Sequence, residues 1–189
     1  MLDVVLNFFA GEVNAYLKAR TGIDADAVSL SAIVDENGKY AIANDSIGIN
    51  IINIEEECVH KEQLPQSTYR SGQNVMLEPR LNLNLSVMFA ANYKHYDQAL
   101  KYISYVMTYF QAHRLFVPAD YASLDQSLKR VVVELQRLNY DQLNQVWAYI
   151  GAKQLPSVIY RVRMVGIQDQ AASEVGPPIY SIDTKVGSN

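Results

Sequence analysis

Cysteine is nearly absent from this chain of 189 residues, and charge is scarce. The single cysteine, Cys58, can close no disulfide within the chain and build no CxxC zinc site, which fits a reducing compartment. Charged residues make up 19% of the chain, below the roughly 25% of ordinary soluble domains. With 16 Lys and Arg against 20 Asp and Glu the formal charge is −4, and no run of five basic residues occurs. Nucleic-acid recognition through a basic face is therefore disfavoured. Val87 to Ala91 is the longest apolar stretch of note, far below the ~18 residues of a membrane span, so no direct membrane insertion is expected. The N-terminus, with Asp3 and no basic residue ahead of its apolar positions, does not read as a signal peptide.

Motifs of chemistry are missing too. The nine glycines form neither GxGxxG nor GxxxxGK[ST], so nothing cradles a nucleotide and no cofactor is expected. HExxH and GxSxG are absent, and His60, His95 and His113 are too scattered for a local metal motif. Cys58 and His60 are the sole nucleophile-and-base neighbours, with no third group to orient them, and carry no catalytic assignment. The chain is expected not to be an enzyme.

What replaces charge is amide and phenol. The chain holds 13 Asn, 12 Gln and 13 Tyr, neutral polar groups that can face water or another protein. Interfaces are depleted in Lys, Glu and Asp and enriched in Tyr, so the composition hints at an assembly subunit, while taken by itself it favours an ordinary soluble domain. The small net charge also conceals an asymmetry. Residues 1–62 hold 4 basic and 11 acidic side chains, whereas residues 63–189 hold 12 basic and 9 acidic. A head-to-tail ring needs two different, complementary patches on each subunit, and an asymmetric monomer can supply them.

Leu2, Val5, Leu6, Phe9, Val13, Tyr16 and Leu17 recur at three- and four-residue steps, which predicts a helix capped by Gly22. Val28 to Val34, the turn Asp35-Glu36-Asn37-Gly38 and Lys39 to Ala43 predict a small hairpin. Ile47 to Ile54 reads as a strand ending at Glu55, Glu56 and Glu57. Of three consecutive strand carboxylates only the first and third share a face, giving either a solvated strand end or an acidic knob for a neighbouring subunit. Leu81, Leu83, Leu85, Val87 and Phe89 alternate with Asn82, Asn84, Ser86 and Met88, the clearest strand in the sequence. The connection Cys58 to Glu78 is long, contains Pro65 and Gly72, and reads as a functional or mobile loop.

Asp97 to Phe110 returns to helical spacing, with Leu100, Ile103, Met107 and Phe110 on one stripe and Tyr102, Tyr105 and Tyr109 on the next. Those tyrosines read as core edge or as a subunit contact. Ala112 to Asp125 reads as a loop and Val131 to Leu135 as a buried strand. Asn139 and Gln142 form a capping box for a third helix, with Leu143, Val146, Trp147 and Ile150 as its stripe and Gly151 at its end. Val158 to Val165 alternates, placing Arg161 and Arg163 on one face. These elements predict an α+β fold: a mostly antiparallel sheet with helices packed on one face. Residues 1–167 read as one domain, long enough to bury a core, and residues 168–189, with Gly176-Pro177-Pro178, as an arm or tail.

NIEEE, LNLNLSVMFAANYKHYDQALKYISYVMTYFQ and LNYDQLNQVWAYIGAKQLPSVIYRVRMV together resemble the cap, or tail-terminator, proteins of phage-tail-like contractile injection systems of the antifeeding-prophage and virulence-cassette type. The closing GPPIYSIDTKVG fits the same pattern. Trp147, Gly151, Ala152, Lys153, Leu155, Pro156 and Ser157 are its most specific part. The resemblance implies a phage tail-terminator-like fold and a homohexameric ring that ends the inner tube and anchors the last sheath layer. Its implied partners are therefore further copies of itself, the inner tube protein and the sheath protein, with no nucleic acid. The alternative is a transient assembly chaperone or adaptor for tube or sheath subunits. Synthesis and assembly would be cytoplasmic, within a particle then released or anchored at a membrane. Such a subunit must offer much contact surface. The candidate contacts are Glu55 and Glu57 with Arg161 and Arg163, Tyr69 and Arg70 in the long connection, and Tyr102, Tyr105 and Tyr109.

Overall fold

The computed structural model describes residues 1–57, 66–70, 73–77, 81–167 and 174–176, with the backbone alone for 66–70, 73–77, 165–167 and 174–176. The elements in chain order are α1 (Leu2–Thr21), β1 (Val28–Leu30), β2 (Ser46–Glu56), β3 (Gln66–Arg70), β4 (Gln73–Leu77), β5 (Leu81–Asn92), α2 (Tyr96–Ala112), β6 (Leu115–Phe116), β7 (Arg130–Leu135), α3 (Tyr140–Ile150), β8 (Ser157–Ile167) and β9 (Glu174–Gly176). They form a six-stranded sheet of order β1-β2-β5-β8-β7-β6 and a three-stranded sheet of order β3-β4-β9. Every pairing is antiparallel except β1 with β2. This is the expected α+β class.

α1 forms where the spacing predicts. Val5, Leu6, Phe9, Val13 and Leu17 are buried, and Gly22 ends the helix at φ 69°, a left-handed conformation that a side chain disfavours. Asn14 is the one buried polar residue of this helix. Its Nδ2 donates to Val28 O at 2.8 Å, and its Oδ1 accepts from Ala27 N at 3.0 Å and Val28 N at 2.9 Å. That amide ties the first helix to the first strand.

α1 and α2 cover one face of the large sheet. All five phenylalanines of the chain, Phe8, Phe9, Phe89, Phe110 and Phe116, are buried there, with ring centroids 5.3–6.4 Å apart between contacting pairs. Edge-on and tilted rings of this kind add to simple area burial. Leu85, Val87, Val162, Met164, Val131 and Val133 complete the layer from the strands.

α3 lies on the opposite face, so the helices do not share one face as expected: Met88, Ala90 and Ile159 form a second apolar patch that needs cover of its own. Trp147 joins Met88, Ala90, Ile159, Ile33 and Ile42 in a second, smaller core. The capping box is present: Gln142 N donates to Asn139 Oδ1 at 2.8 Å and Asn139 N to Gln142 Oε1 at 3.0 Å. The β5 alternation therefore stays one-sided only over its first half, and Met88 and Ala90 are fully buried under the second core.

Four local expectations change. The hairpin around Asp35–Gly38 reduces to a single bridge, Val34 to Tyr40, because Val28–Leu30 pairs with β2 and the following segment crosses the sheet to insert Ile33 and Ile42. The stripe of α2 is rotated: Ala99, Ile103, Val106, Tyr109 and Phe110 are buried, while Leu100 and Met107 stand 45% and 43% exposed. Within Cys58 to Glu78 lies a hairpin, β3 with β4, rather than a structureless loop; Cys58, His60, Pro65, Gly72 and Glu78 are outside the described residues. From the expected arm, Glu174–Gly176 pairs with β4, and its Pro177 and Pro178 are outside the described residues.

Candidate assembly surface

Past α3, the second face of the sheet is polar. Because side chains alternate, the β5 residues Asn82, Asn84 and Ser86 share that face with their cross-strand partners. One row reads Glu55, Asn84, Arg163, Val132 across β2, β5, β8 and β7, and the next reads Asn53, Ser86, Arg161, Glu134. The sheet thus brings Glu55, Arg161 and Arg163 onto one surface. Glu57 joins them just beyond β2, its Oε2 accepting from Asn84 Nδ2 at 2.7 Å. Glu55 Oε1 accepts from Asn53 Nδ2 at 2.7 Å. The first and third carboxylates of the acidic triplet do converge.

The two arginines differ. Arg163 donates to Glu134 Oε1 at 2.6 Å, an ion pair across neighbouring strands with both side chains about half exposed. Arg161 is exposed and has no ion-pair partner among the described residues.

Between this polar face and α3 runs a groove lined by Ile52, Asn53, Ser86, Gln136, Gln145 and Tyr149, among others, none of them charged. Ser86 Oγ donates to Gln136 Oε1 at 3.0 Å on its floor. Side-chain amides both donate and accept, so such a lining can match polypeptide backbone of either polarity. The amide excess of the sequence was the signal for this groove; which amides face it depends on the register. Tyr149 on α3, 84% exposed, forms part of its wall.

The tyrosines of α2 divide. Tyr109 is 4% exposed, its hydroxyl 3.1 Å from Glu12 Oε2, with burial and then that carboxylate pushing the phenol's pKa up. It belongs to the core and leaves the contact set. Tyr102 stacks on Tyr93 with centroids 4.7 Å apart and meets Tyr105 edge-on at 6.2 Å. Both are half-buried, and with Arg20, Asp45, Gln98 and Lys101 they line an open groove between α1 and α2. Tyr69 and Arg70 close β3, paired with Asn74 and Gln73. Among the described residues no group of three or more His, Cys, Asp or Glu is placed to hold a metal ion, and no helix is long and apolar enough to cross a membrane.

Two solved structures share this architecture. The tube-terminating cap of the anti-feeding prophage is 18% identical with a TM-score of 0.63, over 93% of this chain and 59% of that one. The sheath/tube terminator of the extracellular contractile injection system PVC, in its extended state, is 15% identical with a TM-score of 0.59, over 94% of this chain and 63% of that one. The chain thus spans less than two thirds of the length of either. Among curated proteins none matches. The family model of the Pvc16 N-terminal domain matches residues 5–181, and the chain belongs to that family.

Proposed function

We propose that this chain is a structural cap of a contractile injection system, a hexameric ring subunit that ends the inner tube and anchors the last layer of sheath. One observation carries the reading: the fold follows that of a tube-terminating cap over 93% of the chain. The surface supports it. A ring subunit touches two neighbours, the tube and the sheath, and this subunit offers an amide-lined groove, a polar sheet face and a tyrosine-lined groove. Arg161, with Arg163, Glu55 and Glu57, is assigned to contact with the tube or a neighbour, and Tyr69, Arg70, Tyr102 and Tyr105 to the remaining contacts. The role needs no catalysis and no cofactor, and it places synthesis and assembly in the cytoplasm ahead of release or anchoring of the particle.

Deletion of the gene is expected to give particles of uncontrolled length, and imaging or mass spectrometry of finished particles to find the chain at one end. A chain that is absent from finished particles yet needed for their assembly would instead be a transient chaperone or adaptor of tube or sheath subunits.

A further inference from the structure

The two side edges of the six-stranded sheet differ in sign. On one side β1 pairs only with Ile47, Gly48 and Ile49, so from Asn50 to Glu55 the outer flank of β2 has no strand beside it among the described residues. That flank carries Ile54, 49% exposed, and Glu55, which has no cationic partner among the described residues. On the other side β6 is two residues long, Leu115 is 55% and Leu135 52% exposed, and Arg114 and Arg130 are exposed beside them. The acid on this edge, Glu134, is already held by Arg163. An open strand edge is a template for pairing with another chain, and here one edge is apolar and acidic, the other apolar and basic.

The edges are also level with each other. Followed across the sheet, Glu55 pairs with Asn84, Asn84 with Arg163, Arg163 with Val132, and Val132 with Leu115. In the adjoining row Ile54 leads through Leu85 and Val162 to Val133, whose N–H donates to Arg114 O at 2.8 Å. Glu55 thus stands level with Leu115, and Ile54 with Arg114, so that the acid of one edge and the base of the other lie one residue apart along the strands. Where the strands run along the axis of a closed ring, rotation carries a patch around the axis without changing its height, and level patches on opposite edges then meet head to tail.

From this, and resting on the ring proposed above, we infer that the open flank of β2 in one copy, at Ile54 and Glu55, docks on the β6 edge of the next copy of this chain, at Arg114 and Leu115. Unlike charges fix the register of such a contact and like charges oppose it.

Charge exchange tests it, with assembly read by native mass spectrometry of the full chain, alone and on tube ends, and tube capping scored separately. Glu55→Lys alone and Arg114→Glu alone are each expected to weaken self-association by about tenfold or more. An equimolar mixture of the two variants is expected to assemble again as alternating rings, because every contact then joins unlike charges. The contact is overturned if either variant assembles like the unaltered chain, if mixing restores nothing, or if the unaltered chain stays monomeric both alone and on tubes. Should a reversal impair folding, Glu55→Gln and Arg114→Gln in a double-mutant cycle read the same coupling, and additive effects overturn it. Rings that form as described but never bind tube would remove the cap reading and leave the contact standing.

Discussion

The two faces of the large sheet are built from the same strands and reach opposite ends. Under α1 and α2 the inward strand positions are aliphatic or aromatic, and five phenylalanines interlock. On the far face the apolar cover stops where α3 and the segment bearing Ile33 and Ile42 stop, and beyond it Asn84, Ser86, Arg161 and Arg163 take over. Along β5 the changeover falls between Ser86, partly exposed, and Met88, fully buried. The first face holds the subunit together, and the second is divided between a small core and an exposed polar surface.

That contrast can be broken in three graded ways. Phe9→Ala, on the first face, removes a fully buried ring from the cluster and is expected to cost about 3–5 kcal/mol in urea unfolding. Gly48→Ala tests the covered half of the far face, where a β carbon would stand 2.7 Å from Ile42 Cγ1 and 2.9 Å from its Cδ1. Displacing Ile42 is expected to cost about 1–3 kcal/mol and to alter the fluorescence of Trp147, the only tryptophan and a member of the same small core. Arg161→Ala, on the open half, is expected to change stability by less than about 0.5 kcal/mol while lowering capping of tube ends. A large loss of stability at Arg161, or none at Phe9, would erase the distinction between the faces.

Much of this was legible from spacing alone. The first helix and its Gly22 cap, the Asn139 capping box and the alternation through Leu85 and Val162 come directly from periodicity, because those positions answer to one neighbouring layer. Sequence reasoning failed where two layers compete. Met88 and Ala90 continue β5 under a second core that lies far away in the sequence, and Val28–Leu30 was drawn to β2 instead of to the nearest turn. On α2, Leu100–Met107 and Ala99–Val106 both satisfy a helical period, and only the partner surface decides which is inside. The β3–β4 hairpin has a local signal of its own, Ser71-Gly72 between two five-residue runs. For the contact residues, Glu55, Glu57, Arg161 and Arg163 could be seen as charged strand positions, but their common face follows from a register that no local pattern states. Tyr109 was indistinguishable in sequence from Tyr102 and Tyr105, and its place in the core is set by Glu12 and the aromatic layer.

Asn14 has a reach beyond its own three hydrogen bonds. By holding Ala27 and Val28 to the middle of α1, it fixes where β1 begins, and therefore how many residues of β2 are shielded and how many are left bare. A single side chain in the first helix thereby anchors the strand that forms one edge of the sheet. Shifting that anchor by one helical turn would lengthen or shorten the bare stretch without altering any residue on it.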